Sequence, residues 1–94
     1  MLKGIYQIFN KVAREPVTDI FVSNNDAMAC YGFISFVSKA CKDEMNDKIF
    51  ELRCLGAYDT EGHTLNGQSN YEVVCCGREE ARNVVANAED EDLE

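Results

Sequence analysis

The chain is poor in the residues that most often carry chemistry. Among 94 residues there is one histidine, one proline and no tryptophan, and only nine Lys/Arg stand against 17 Asp/Glu, for a formal charge of −8. With His63 as the sole imidazole, just after a predicted turn, nucleophile-and-base catalysis has almost nothing to recruit. No phosphate-loop, dinucleotide or zinc-protease motif occurs, and the six glycines are too scattered to cradle a phosphate. The shortage of bases argues against strong nonspecific duplex binding, whose affinity comes from neutralising phosphates. No apolar run approaches the ~18 residues of a membrane span. The segment from Met1 to Lys11 has no apolar block of the signal-peptide kind, so no export signal is expected.

Five cysteines are present: Cys30, Cys41, Cys54, Cys75 and Cys76. Their number is odd and no C-x-x-C pair occurs, so free thiols in a reducing compartment are expected, with neither a metal site nor a cofactor. Cys is among the most buried residue types, and most of these should be small core residues. If Cys75 and Cys76 lie on a strand, they face opposite sides, one buried and one exposed.

Charge is unevenly placed. The first fourteen residues hold Lys3, Lys11 and Arg14 and no acid, whereas residues 89–94 hold five acids and no base. The acidic end reads as a disordered tail that serves solubility or mimics phosphates over a basic surface. The domain is therefore expected over 1–88, with the tail at 89–94. Beside the N-terminal cations, Tyr6 and Phe9 offer rings for stacking. Lys3, Tyr6, Lys11 and Arg14 are thus the candidate contacts to single-stranded nucleic acid.

Periodicity predicts α+β: a small, mostly antiparallel sheet of four or five short strands, with one main helix on one face. Ile5–Phe9 is apolar on both faces, as in a central strand. Pro16 fits the start of an element, and Val17–Val22 alternates as a second strand. Ser23-Asn24-Asn25-Asp26 opens a helix over 25–42, with Ser23 as cap and Asp26 at the third helical position. Its stripe is Ala29, Phe33, Phe36, Val37 and Ala40, and Gly32 is expected to admit a strand closely. Over Ile49–Tyr58, Phe50, Leu52, Cys54, Gly56 and Tyr58 share one face, and the first, second and third of these should meet the helix. Asp59–Gly62 is a turn, His63–Leu65 a short strand, Asn66–Asn70 a loop and Tyr71–Cys76 a strand. A second short helix is expected near 78–88.

The order of these features resembles the small nonstructural protein of gokushovirus-type microviruses, phages with single-stranded DNA genomes. The likeness rests on Ile5–Phe9, then Pro16, Ile20 and Phe21, then Asn25-Asp26-Ala27-Met28-Ala29 with Phe33, and finally Leu52–Asp59 with Gly62. In that family N-D-x-x-A opens a helix, and a later strand ends in hydrophobic-G-x-[FY]-D, here Leu55-Gly56-Ala57-Tyr58-Asp59. The likeness covers about residues 5–65. It implies a nonstructural protein of the host bacterial cytoplasm, absent from the virion and linked to viral DNA replication or DNA packaging. Such a protein would be noncatalytic, binding replication or capsid-assembly proteins and touching single-stranded DNA, with a homodimer as a further expectation and no membrane contact. The alternative is a small cellular protein with a structural or regulatory role.

Overall fold

The computed structural model describes residues 2–92. In chain order the elements are β1 (Leu2–Asn10), β2 (Glu15–Pro16), β3 (Phe21–Ser23), α1 (Asp26–Ala40), a 3₁₀ turn (Asp47–Ile49), β4 (Phe50–Asp59), β5 (Thr64–Cys76) and α2 (Gly77–Asp92). The fold is α+β: one antiparallel sheet in which β1 is central. It pairs with β4 on one side and with both β2 and β3 on the other, and β5 closes the far edge beyond β4. Among the described residues, no helix is long and apolar enough to cross a membrane.

Of the predicted strand over Val17–Val22 only Phe21 and Val22 are strand; residues 17–20 form a break between β2 and β3, and Thr18 is the reason. Its Oγ1 accepts the Ile8 N–H at 3.1 Å, its carbonyl accepts from Gln7 Nε2 at 2.9 Å, and Val17 N–H donates to the Ile8 carbonyl at 2.9 Å. A side chain replaces a backbone partner there, so β2 ends at Pro16 and pairing resumes only at Phe21. The turn before β2 is held by Asn10, whose Oδ1 accepts from Val12 and Ala13 N–H, an Asx turn.

The cap of α1 lies two residues later than expected. Ser23 pairs with Gly4 in the sheet, and Asn25 Oδ1 accepts the Met28 N–H at 2.9 Å. That satisfies one of the orphan donors of the first turn. Asp26 becomes the first helical residue and accepts the Tyr6 hydroxyl at 2.7 Å. Ala29, Cys30, Phe33 and Val37 are buried against the sheet, whereas Ala40 is exposed. Gly32 is also exposed with no atom near its missing side chain, so the expected close strand approach does not occur.

Helix α2 packs beside α1 on the same face, and Ala81 and Val85 join Tyr6, Ile8, Phe33, Val37, Leu52 and Cys75 in one core. Its start is fixed by Asp47, which accepts the Arg78 N–H at 3.0 Å and Arg78 Nε at 2.8 Å, with both side chains buried. Gly77 makes that geometry possible. It sits at φ +75°, and a Cβ there would lie 2.7 Å from Asp47 Oδ1. The backbone of α2 continues to Asp92, through helix-favouring Ala86 and Ala88 and into the segment expected to be an unstructured tail. Leu93 and Glu94 of that expected tail lie outside the described residues.

Two irregularities redirect side chains. Ile5 pairs with Gly56 and Tyr6 with Cys54, so Leu55 is an extra residue on β4. A bulge of this kind inverts the alternation beyond it. Phe50, Leu52 and Cys54 face the helices as expected, but Gly56 and Tyr58 turn to the opposite face. In β5, Gly67 pairs with Gly56 and Glu72 with Cys54. The predicted 66–70 loop is thus a wide irregularity inside one long strand. Gly56 lets that strand cross closely, since a Cβ there would lie 2.1 Å from the Asn66 carbonyl oxygen.

Candidate interaction face

Register places a second set of side chains on the sheet face away from the helices. Gln7, Arg53 and Val73 form one cross-strand row, and Phe9, Glu51 and Cys76 form the next. Arg53 is the centre of this face. Its guanidinium carbon lies 3.8 Å from the Phe9 ring centroid and 3.9 Å from that of Tyr71, so the cation is sandwiched between two rings. Its Nε donates to Glu51 Oε1. Glu51 is 5% exposed, although it lies on the sheet face away from the helices.

The ion pair and the rings depend on one another. A carboxylate so far from water needs a partner, and Arg53 supplies it. The planar guanidinium also stacks on both rings, an arrangement a lysine would not reproduce. Cys76 extends the network: its thiol donates to Glu51 Oε2 and accepts from Lys11 Nζ, both at 3.8 Å. Burial pushes that thiol up from its ordinary value, which keeps it protonated. Beside this centre, Tyr71 and Val73 are each 48% exposed; Leu65, more open still, lies farther along β5 opposite Tyr58. The result is an ion-paired arginine and aromatic centre with an apolar margin along β5.

The nucleic-acid contacts expected from sequence are not brought together. Tyr6 is buried on the helix side, stacked on Phe21 at 5.9 Å between centroids, and its hydroxyl is engaged by Asp26. It offers no ring to a base, because its even position on β1 puts it on the face that α1 covers. Lys3 sits near one end of β1 and Lys11 just beyond the other, about 26 Å apart for eight residues of strand. Arg14 is exposed in the following turn in a left-handed conformation, φ +58°. Only Lys11 reaches the Arg53 face through a defined contact. Sequence reasoning noticed Phe9 but missed Glu51, Arg53 and Tyr71. Their alternation was visible, while the register that joins them was not.

Two other groupings have a structural account. Cys30 and Cys75 place their sulfurs 3.9 Å apart inside the core, joining α1 to β5, and their shared hydrogen bond together with burial pushes the Cys75 thiol up. Cys75 is buried and Cys76 lies on the other face, as their adjacency predicts, but Cys76 is half-buried rather than exposed. His63 is exposed at φ +53° in the turn between β4 and β5. An open, polar cleft of about 660 Å³ lies where β1 begins, lined by Lys3, Asn24, Asn25, Asp26 and Asn87. Among the described residues, no three His, Cys, Asp or Glu side chains cluster as metal ligands. Comparison with family models, curated proteins and solved structures finds no match to the chain, so the face has to be read from its own chemistry.

Proposed function

We propose that the chain is a noncatalytic accessory protein of a gokushovirus-type phage. It acts in the host bacterial cytoplasm, in single-stranded DNA genome synthesis or its coupling to packaging, by binding a replication or capsid-assembly protein. It is not a virion component. The observation that carries this reading is the sheet face built on Arg53. A cation held between Phe9 and Tyr71, with Val73 beside it, has the aromatic, arginine and apolar make-up on which protein interfaces rely. The likeness adds support: Asn25 and Asp26 open α1, and Leu55–Asp59 forms the bulged end of β4. Both segments shape the sheet that presents this face.

The test is affinity capture from infected cells with the tagged full chain, compared with Tyr71→Ala. Tyr71 is half-exposed, so its truncation alters the face without opening the core. A phage replication or capsid-assembly protein should be enriched by the wild type and lost with the variant. Enrichment of no phage protein, or stoichiometric presence of the chain in purified virions, would overturn the reading.

A second reading, direct contact with single-stranded DNA, is favoured by Lys11 reaching the face that carries Arg53 and Tyr71. Binding of that kind should weaken steeply with salt and strengthen when residues 89–94 are deleted. Fluorescence anisotropy with a labelled oligonucleotide measures both, and no binding by either chain at low salt removes it.

A further inference from the structure

Two nucleophilic groups of the core take no part in the Arg53 face. Cys30, in the second turn of α1, and Cys75, the penultimate residue of β5, are both free thiols and both fully buried. They stand 45 positions apart in the chain, yet their sulfurs are in contact at 3.9 Å. A disulfide bond is about 2.0 Å long, so roughly 2 Å remains to be closed, shared between two short side chains. Burial alone would make such thiols inert. The place of Cys75 in the sheet changes that. Strand β5 is an edge, paired on one side only. Arg53 pairs with Val73 and Leu52 with Cys75, so Val74 is an extra residue immediately before the thiol. A bulge interrupts the ladder, and on an edge strand it marks where a few residues open while α1 and the β1–β4 pairing stay formed.

We propose that Cys30 and Cys75 form an oxidisable dithiol site, which hydrogen peroxide converts to a disulfide that locks α1 to β5. One sulfur, as its thiolate, attacks a peroxide oxygen. The O–O bond breaks, leaving a sulfenic acid, and the hydroxide released takes up the thiol proton to become water. The other sulfur then attacks the sulfenic sulfur. The S–S bond forms as the S–O bond breaks, and the departing hydroxide leaves as a second water with the second thiol proton. The two sulfurs together lose two electrons, which reduce one peroxide to two waters. The oxidant must be small, because a glutathione-sized disulfide does not fit between α1 and β5. The partner thiol is already in contact, so the sulfenic acid is trapped as a disulfide before it is oxidised further. The new bond closes a loop that contains the 3₁₀ turn and all of β4, and so restricts the unfolded chain. This proposal does not rest on the phage reading, and it uses the purified chain alone.

The test treats the reduced, folded full chain with hydrogen peroxide, blocks the remaining free thiols and maps the tryptic peptides by mass spectrometry. Peptide 15–39 should appear joined to peptide 54–78, at about 2 Da below their summed mass, until dithiothreitol parts them. Fragment ions should place the bond at Cys75 rather than at Cys54 or Cys76, which lie in the same peptide. In urea, the oxidised chain should unfold at a higher midpoint than the reduced one, and Cys75→Ala should show no such rise. Peroxide that leaves Cys30 and Cys75 free overturns the proposal. So does a bond placed at another cysteine, an oxidised chain no harder to unfold, or an equal rise in Cys75→Ala. Should that variant fail to fold, the wild-type fragment map decides alone: a bond from Cys30 to Cys75 supports the site, and its absence rejects it.

Discussion

The two faces of the sheet share the same strands but are held by different physics. Within five residues of β4, Phe50, Leu52 and Cys54 turn to the helices, while Glu51 and Arg53 turn the other way. The helix face is a dry core in which shape and volume decide stability, closed by Phe33, Val37, Ala81 and Val85. Among the described residues the opposite face has no helix over it, yet Glu51 is about as buried as the core aromatics. Its cohesion comes from an ion pair clamped by two rings. The contrast teaches that a sheet face away from the helices can bury a carboxylate when one planar cation satisfies both that carboxylate and its aromatic neighbours.

Truncations should separate the two regimes, beginning with the core. Phe33→Ala removes a fully buried ring and should cost about 3–5 kcal/mol in urea unfolding, because transfer and cavity terms add. Phe9→Ala, on the half-buried side, should cost about 1–2 kcal/mol. Equal costs would erase the distinction between the faces.

An effect smaller than that of Phe33→Ala sharpens it. Arg53→Met should destabilise by about 2–3 kcal/mol, chiefly because Glu51 is left charged and buried. Adding Glu51→Gln should then recover about half of that loss, since the amide carries no charge to strand. If the second substitution recovers nothing, ring packing rather than ion pairing holds this face.

Much of the helix face was legible in the sequence. Ala29, Phe33 and Val37 fall on one helical stripe, the Asn/Asp cluster marks the start of α1, and alternation over Phe50–Cys54 assigns the core side of β4. What stayed hidden depends on neighbours far along the chain. The Leu55 bulge that turns Tyr58 away from the helices exists only because β4 must match β1. Thr18 breaks its strand by reaching Ile8, ten positions earlier. The Arg53 site was invisible for the same reason: Phe9, Arg53 and Tyr71 become neighbours only once three strands are in register. Tyr6 was misread as a contact residue because both faces of β1 are apolar, and the side that α1 covers cannot be told from β1 alone.

Tyr6 also supplies the smallest and most specific contrast. Its hydroxyl donates to Asp26 from within the core, and Tyr6→Phe should cost about 1 kcal/mol through loss of that bond. Burial first, and then the hydrogen bond and negative charge of Asp26, push the phenol well above the ordinary tyrosine value of 10.0. In the unfolded chain the phenol loses its proton near 10, whereas in the folded protein it keeps it. The unfolded state therefore binds fewer protons above that pH, and the stability held below 10 declines as pH rises beyond it. Phenylalanine has no proton to lose, so the variant should lose less stability than the wild type between about pH 9.5 and 11. Urea midpoints across that range give the comparison. Parallel alkaline limbs would mean that the Tyr6 hydroxyl titrates freely in the folded protein, contrary to its place between β1 and the first turn of α1.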